Sequence, residues 1–166
     1  MSFFHLHVWT SGELDRQTTI VDRTVHPYTI TNVGIEMSDW PEDDLFQTWP
    51  VFFMSNRLCA KTKHGRYSGI DFQPVHRIHG DYNFSAFYPG FEFDQYFLLN
   101  ISDKVGRDDF ALYKRMYLVV SEKALAFLRS NHVVRAEADE IDMPFDKYFG
   151  SDRKDFWLHL SNELIV

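Results

Sequence analysis

From Phe3 to Trp9 the chain alternates, with Phe4, Leu6 and Val8 on one side and Phe3, His5, His7 and Trp9 on the other. That period of two predicts a first strand, ended by Ser11 and Gly12. Residues 13–25 are polar and weakly patterned. Alternation resumes from Thr29 to Met37 as a second strand, with Gly34 read as a bulge. DWPEDDLFQTWP reads as a loop, and Val51 to Met54 as a short apolar strand. Ser55 then caps a short helix containing Leu58, Cys59 and Ala60, with Lys61 and Lys63 near its end and Gly65 as its stop. Tyr67 to Ile78 alternates again, and Pro74, which lacks a ladder donor, marks an edge or a strand end. Asp81 to Gly90 is an aromatic loop or short helix closed by Pro89 and Gly90, and Phe93 to Ile101 is a strong strand candidate.

The stretch from Arg107 to Asn131 carries the clearest local signals. Met116 to Val120 is a β-branched and aromatic run of the kind that becomes a buried strand. Ser121 stands where a helix N-cap belongs, Glu122 suits the positive end of the helix dipole, and Ala124, Leu125, Phe127 and Leu128 form one apolar face. Arg129 suits the other end, and Asn131 is read as the stop in the left-handed conformation. A strand is expected from Val133 to Ala138. Phe156, Trp157, Leu160 and Leu164 then recur at the spacing of an amphipathic helix. Strands and helices do not alternate regularly, which predicts an α+β fold, with a mixed or antiparallel sheet and a few short helices, as a single domain over residues 1–166.

Composition narrows this picture. The chain of 166 residues has 16 Phe, 8 Tyr and 4 Trp, enough aromatics to fill a strand-rich core and leave some as surface anchors. The lone cysteine, Cys59, has no internal disulfide partner, which fits a reducing compartment. Neither a signal-peptide pattern nor a membrane-length apolar run is seen, so a cytoplasmic protein with no membrane partner is expected. Net charge is -7, and residues 1–55 carry 2 basic and 8 acidic side chains. Direct nucleic-acid binding, which needs a concentrated basic face, is therefore not expected, whereas a basic protein partner is.

Candidate chemistry is sparse. His5 and His7 would share a strand face and could place two imidazoles on one metal, but no carboxylate or cysteine follows at ligand spacing. His76 and His79 are a weaker pair. Asp108 and Asp109 could hold a divalent ion or simply finish a turn, and Cys59 lies on the apolar face of its helix, where thiols are inert. No phosphate loop, zinc-finger spacing or nucleophile elbow is present, so no catalytic residue and no cofactor is expected. Two segments mix acids with rigid rings or cluster acids closely: Glu42, Asp43 and Asp44 beside Trp40 and Trp49, and Glu137, Asp139, Glu140 and Asp142 in EADEID. Rings that supply buried area and carboxylates that steer toward Lys or Arg are the composition of a surface that docks a basic protein.

Several segments, taken in order, resemble a known family. They are DDLFQTWPVFFMSNRLCAK (43–61), SGIDFQPV (68–75), FYPG (87–90), FLLNISDKVGRDDFAL (97–112) and LVVSEKALAFLRS (118–130). Over residues 26–142 the chain resembles the immunity proteins of bacterial polymorphic toxin systems, in a branch first catalogued as a domain of unknown function. It departs from that pattern at VVRAEADEI, where a strand containing Cys or His is expected. The resemblance implies a non-enzymatic, cytoplasmic protein that binds a cognate toxin domain and occludes it. It brings no catalytic residues, and the docking residues above come from charge and aromatic content alone. Two other readings stay open: a small metal-dependent enzyme or ligand-binding protein built on His5, His7 and nearby acids, and a homodimer that buries its aromatics.

Overall fold

A computed structural model describes residues 2–22, 24 and 29–141. Among these, thirteen strands and three helices form a strand-rich α+β fold whose sheets are mostly antiparallel. The first sheet has the order β11 (Phe110–Tyr113), β12 (Tyr117–Ser121), β1 (Phe3–His7), β13 (Glu137–Glu140), antiparallel throughout. The second is also antiparallel, in the order β6 (Leu45–Thr48), β7 (Val51–Ser55), β10 (Tyr96–Ile101), β8 (Ile70–Pro74). A third, mixed sheet sets β5 (Gly34–Met37) between antiparallel β2 (Glu13–Leu14) and parallel β9 (Arg77–Gly80), and β3 (Ile20–Asp22) pairs with β4 (Thr29–Thr31) as a ribbon.

The two central strands of the second sheet, β7 and β10, send side chains into a core on each face, which is why VFFM and FLL read as continuous apolar runs. Along β7, Phe52 and Met54 enter a core shared with the first sheet, while Phe53 points into a second core with Val33, Ile35, Met37, Phe46 and Phe84. Strand β10 sorts the same way, with Leu99 in the first core and Leu98 in the second. Helices α1 (Asn56–Gly65) and α3 (Glu122–Ser130) close the first core with Leu58, Cys59, Ala124 and Leu128. The short α2 (Tyr82–Phe87) closes the second with Phe84.

Both serine caps are formed: Ser55 Oγ accepts from Leu58 N–H at 3.2 Å, and Ser121 Oγ from Ala124 N–H at 3.1 Å. The helix stops differ from expectation by one residue each. Gly65 is the last helical residue, where a Cβ would lie 2.4 Å from the Tyr67 ring, and Arg66 takes the left-handed conformation (φ 52°), its N–H donating to Lys63 C=O. Asn131 ends α3 with φ -111°, and His132 (φ 67°) makes the left-handed turn instead.

Several strand boundaries also need correction. Residues 29–37 are two strands in different sheets, broken at left-handed Asn32 (φ 50°), and Gly34 is not a bulge. It is tight because a Cβ there would meet Thr18 Oγ1 at 2.0 Å. Residues 67–78 likewise divide into β8, an edge strand ending at Pro74, and β9 in another sheet. The segment read as a loop before Val51 contains β6, whose Leu45 and Phe46 are fully buried and whose hairpin with β7 turns through a cis Trp49–Pro50 bond. The strand expected from Val133 starts later, at Glu137, since the backbone of 134–136 is engaged by Asp43. The helix expected around Phe156 to Leu164 lies outside the described residues.

Candidate functional site

Of the predicted docking residues, Trp40, Glu42 and Asp43 fall on a loop, 38–44, that the fold draws against the segments after β1 and before β13. Beyond β1 the chain runs beside β6: Gln47 N–H donates to Trp9 C=O at 2.8 Å, and Ser11 N–H to Gln47 C=O at 2.9 Å. Ser11 Oγ then donates to Asp39 Oδ1 at 2.6 Å, which ties loop 38–44 to this segment. On the other side, the β1–β13 ladder ends at His7↔Glu137, and just beyond it Trp9 and Arg135 line the same cleft.

Asp43 completes the assembly. It is 6% exposed, and its carboxylate accepts backbone N–H bonds from Val134 (3.2 Å), Arg135 (2.9 Å) and Ala136 (3.2 Å). Three donors meet the needs of one buried carboxylate. Arg135 is thereby brought to Glu42, with Nε 3.0 Å from Oε2. The outcome is a cleft of about 500 Å³ lined by Trp9, Asp39, Trp40, Glu42 and Arg135.

Trp40 is 50% exposed and belongs to a larger aromatic surface. Its ring centroid lies 4.9 Å from Phe91, 6.2 Å from Tyr88 and 6.5 Å from the nearly parallel Phe84. Phe84 is the anchor, 3% exposed in the second core, and Asp81 Oδ1 fixes its helix by accepting from Phe84 N–H at 2.7 Å. Outward from it stand Tyr88, Phe91 and Phe87, the last 79% exposed. Segments 36–44 and 81–94 around these rings contain eight acids and neither Lys nor Arg. Their field is felt nearby: burial first, then Asp44 and Asp94, pushes the Tyr96 phenol up to about 12.

The remaining candidates do not line the cleft. Asp44 pairs with Arg57 of α1, and Trp49 sits half-exposed on the β6–β7 turn. Glu137, Asp139 and Glu140 are exposed along β13, a sheet edge, where Asp139 Oδ2 meets His7 Nε2 at 3.0 Å. Asp142 lies outside the described residues. Trp9, Asp39, Arg135, Phe87, Tyr88 and Phe91 escaped the sequence reading. FYPGFEFD did show rings beside acids, the signal used for PEDDLFQTW, whereas nothing local marks Trp9 or Arg135.

His5 and His7 do share a face, with ring centroids 3.9 Å apart, and Tyr117 packs edge-on against His5 at 5.3 Å. His5 is 8% exposed; burial above all, with His7 beside it, lowers its pKa to about 4 against a partial opposing pull from Asp139. Among the described residues, no group of three or more His, Cys, Asp or Glu side chains is placed to hold a metal ion. Asp108 and Asp109 are spent on local structure, accepting from Ser102 Oγ at 2.5 Å and Ser121 Oγ at 2.7 Å. Cys59 is buried, and burial raises its thiol pKa, against a smaller effect of Lys63. No described helix is long and apolar enough to cross a membrane. Comparisons with protein-family models, with curated proteins and with solved structures found no match to this chain.

Proposed function

We propose that this chain is a cytoplasmic immunity protein that neutralises a cognate toxin domain by binding and occluding it, without chemistry of its own. The supporting observation is the exposed aromatic surface of Trp40, Phe87, Tyr88 and Phe91, set among acids and held on a buried Phe84. Large rings left 39–79% exposed side by side cost solubility and mark a surface that another molecule covers. Because Trp40, Tyr88 and Phe91 pack on Phe84, little side-chain entropy is lost when a partner covers them. The surrounding acids favour a basic partner, such as a nuclease domain, and oppose nucleic acid itself.

Co-expression tests this reading. The toxin domain encoded beside this chain is produced in bacteria with and without it, and growth and co-purification are scored. Rescue of growth together with a stable complex is the expected result. Toxicity that persists in the presence of folded protein, with no complex, overturns it.

A further inference from the structure

The cleft between Trp9 and Trp40 has a composition that specifies what enters it. Its walls are two indoles, 44% and 50% exposed, and two carboxylates, Asp39 and Glu42, with Arg135 at Glu42. We infer that it receives one cationic side chain, an arginine or lysine head, from the protein partner. The inference rests on the partner-binding reading above and deepens it.

Charge decides between ligand classes. The carboxylates and Arg135 together leave one negative charge, so an anion is repelled, and an apolar group would strip water from both carboxylates without replacing it. A cation gains from the carboxylates and from the indole faces at once. Arg135 does not fill this role itself: it meets Glu42 through Nε, and its side chain is 65% exposed. Asp39 keeps one carboxylate oxygen beyond the Oδ1 that Ser11 occupies. The indole of Trp40 is held by Phe84, Tyr88 and Phe91, so that wall of the cleft is set before anything binds. The cleft, about 500 Å³ and open to solvent, has room to admit an arginine or lysine side chain from a docked surface. A second copy of this chain is the poorer occupant, because an isologous contact would set the acids of segments 36–44 and 81–94 against themselves.

The test titrates the full chain, with ¹⁵N-labelled indoles, with a hexa-arginine peptide near physiological salt, and with the neutral, nearly isosteric hexa-citrulline peptide. Saturable shifts of the Trp9 and Trp40 indole signals are expected with arginine and not with citrulline, while the Trp49 signal stays in place. Trp40→Leu, and separately Trp9→Leu as a variant of the opposite wall, should each weaken binding by about five-fold or more. Shifts at Trp49 alone, equal binding of the citrulline peptide, or unchanged affinity in both variants overturns the inference. So does a dimer in sedimentation that Trp40→Leu dissolves, since the face would then belong to a second copy. Peptide binding at the cleft without rescue from a toxin would sink the immunity reading and leave the cleft standing. Rescue without peptide binding at the cleft would do the reverse.

Discussion

Asp43 shows how far one residue's role can lie from the composition around it. It sits in an acid run, yet it is buried and accepts three backbone N–H groups from residues 134–136. Asp43→Asn puts an amide donor where an acceptor is needed, and should lower stability by about 1–3 kcal/mol in urea unfolding. Arg135 would lose its position beside Glu42 at the same time. Asp44→Asn, which only releases the exposed Arg57 pair, should leave the urea midpoint nearly unchanged. His5 supplies a second prediction. Its pKa falls from 6.5 to about 4 on folding, so between those values the unfolded chain holds a proton that the folded chain lacks. Stability should therefore decline as pH drops from about 6.5 toward 4. Asp109 acts lower: burial opposes its charge, but bonds from Ser121 and Ser68 and the charge of Lys123 outweigh that and hold it below 3.8. Its contribution is present above 3.8 and lost only in stronger acid. Unfolding midpoints between pH 7 and 4.5 should thus slope in the wild type and be flatter in His5→Gln.

At the scale of elements, the β12–α3 junction was legible because every signal in it is local. Ser121 marks the change from a period of two to 3.6, and the structure gives it two duties: it caps α3, and it donates to Asp109 at the start of β11. Ser121→Ala should therefore cost more than an ordinary cap, about 2 kcal/mol. Asp109→Ala added to it should cost less than the sum of the two single changes, because both remove the same Ser121–Asp109 bond; a double-mutant cycle in urea reads this directly. Strand β6 was hidden for the opposite reason. Leu45 and Phe46 are flanked by Asp43, Asp44, Trp49 and Pro50, a loop-like composition, and only pairing with β7 makes LFQT a strand. The break at Asn32 was equally silent, since alternation continues across it while the chain passes from one sheet to another, whereas the end of β8 was marked by Pro74, which cannot donate to a ladder. The cleft was the least legible feature. It depends on bonds between residues 43 and 135 and between 11 and 39, separations that no periodicity registers.

For the molecule as a whole, the two acidic segments separated by nearly a hundred residues become parts of one region, joined where Glu42 meets Arg135 and where β13 leads away from it. Steering and holding should then be separable. Glu137 and Glu140 lie exposed on the β13 edge, outside the cleft, so under the proposed function they would act on a basic partner through the field. Glu137→Lys with Glu140→Lys should slow association by several-fold at low salt and reduce its salt dependence, with little change in dissociation. Under the same proposal Trp40 would make contact only once the complex has formed, so Trp40→Leu should instead speed dissociation by about ten-fold and leave association nearly unchanged. Stopped-flow mixing with the toxin domain at two ionic strengths measures both rates. Equal effects of the two sets on one rate would mean that the rings and the β13 acids touch the partner together, placing the contact surface across the sheet edge as well as the cleft.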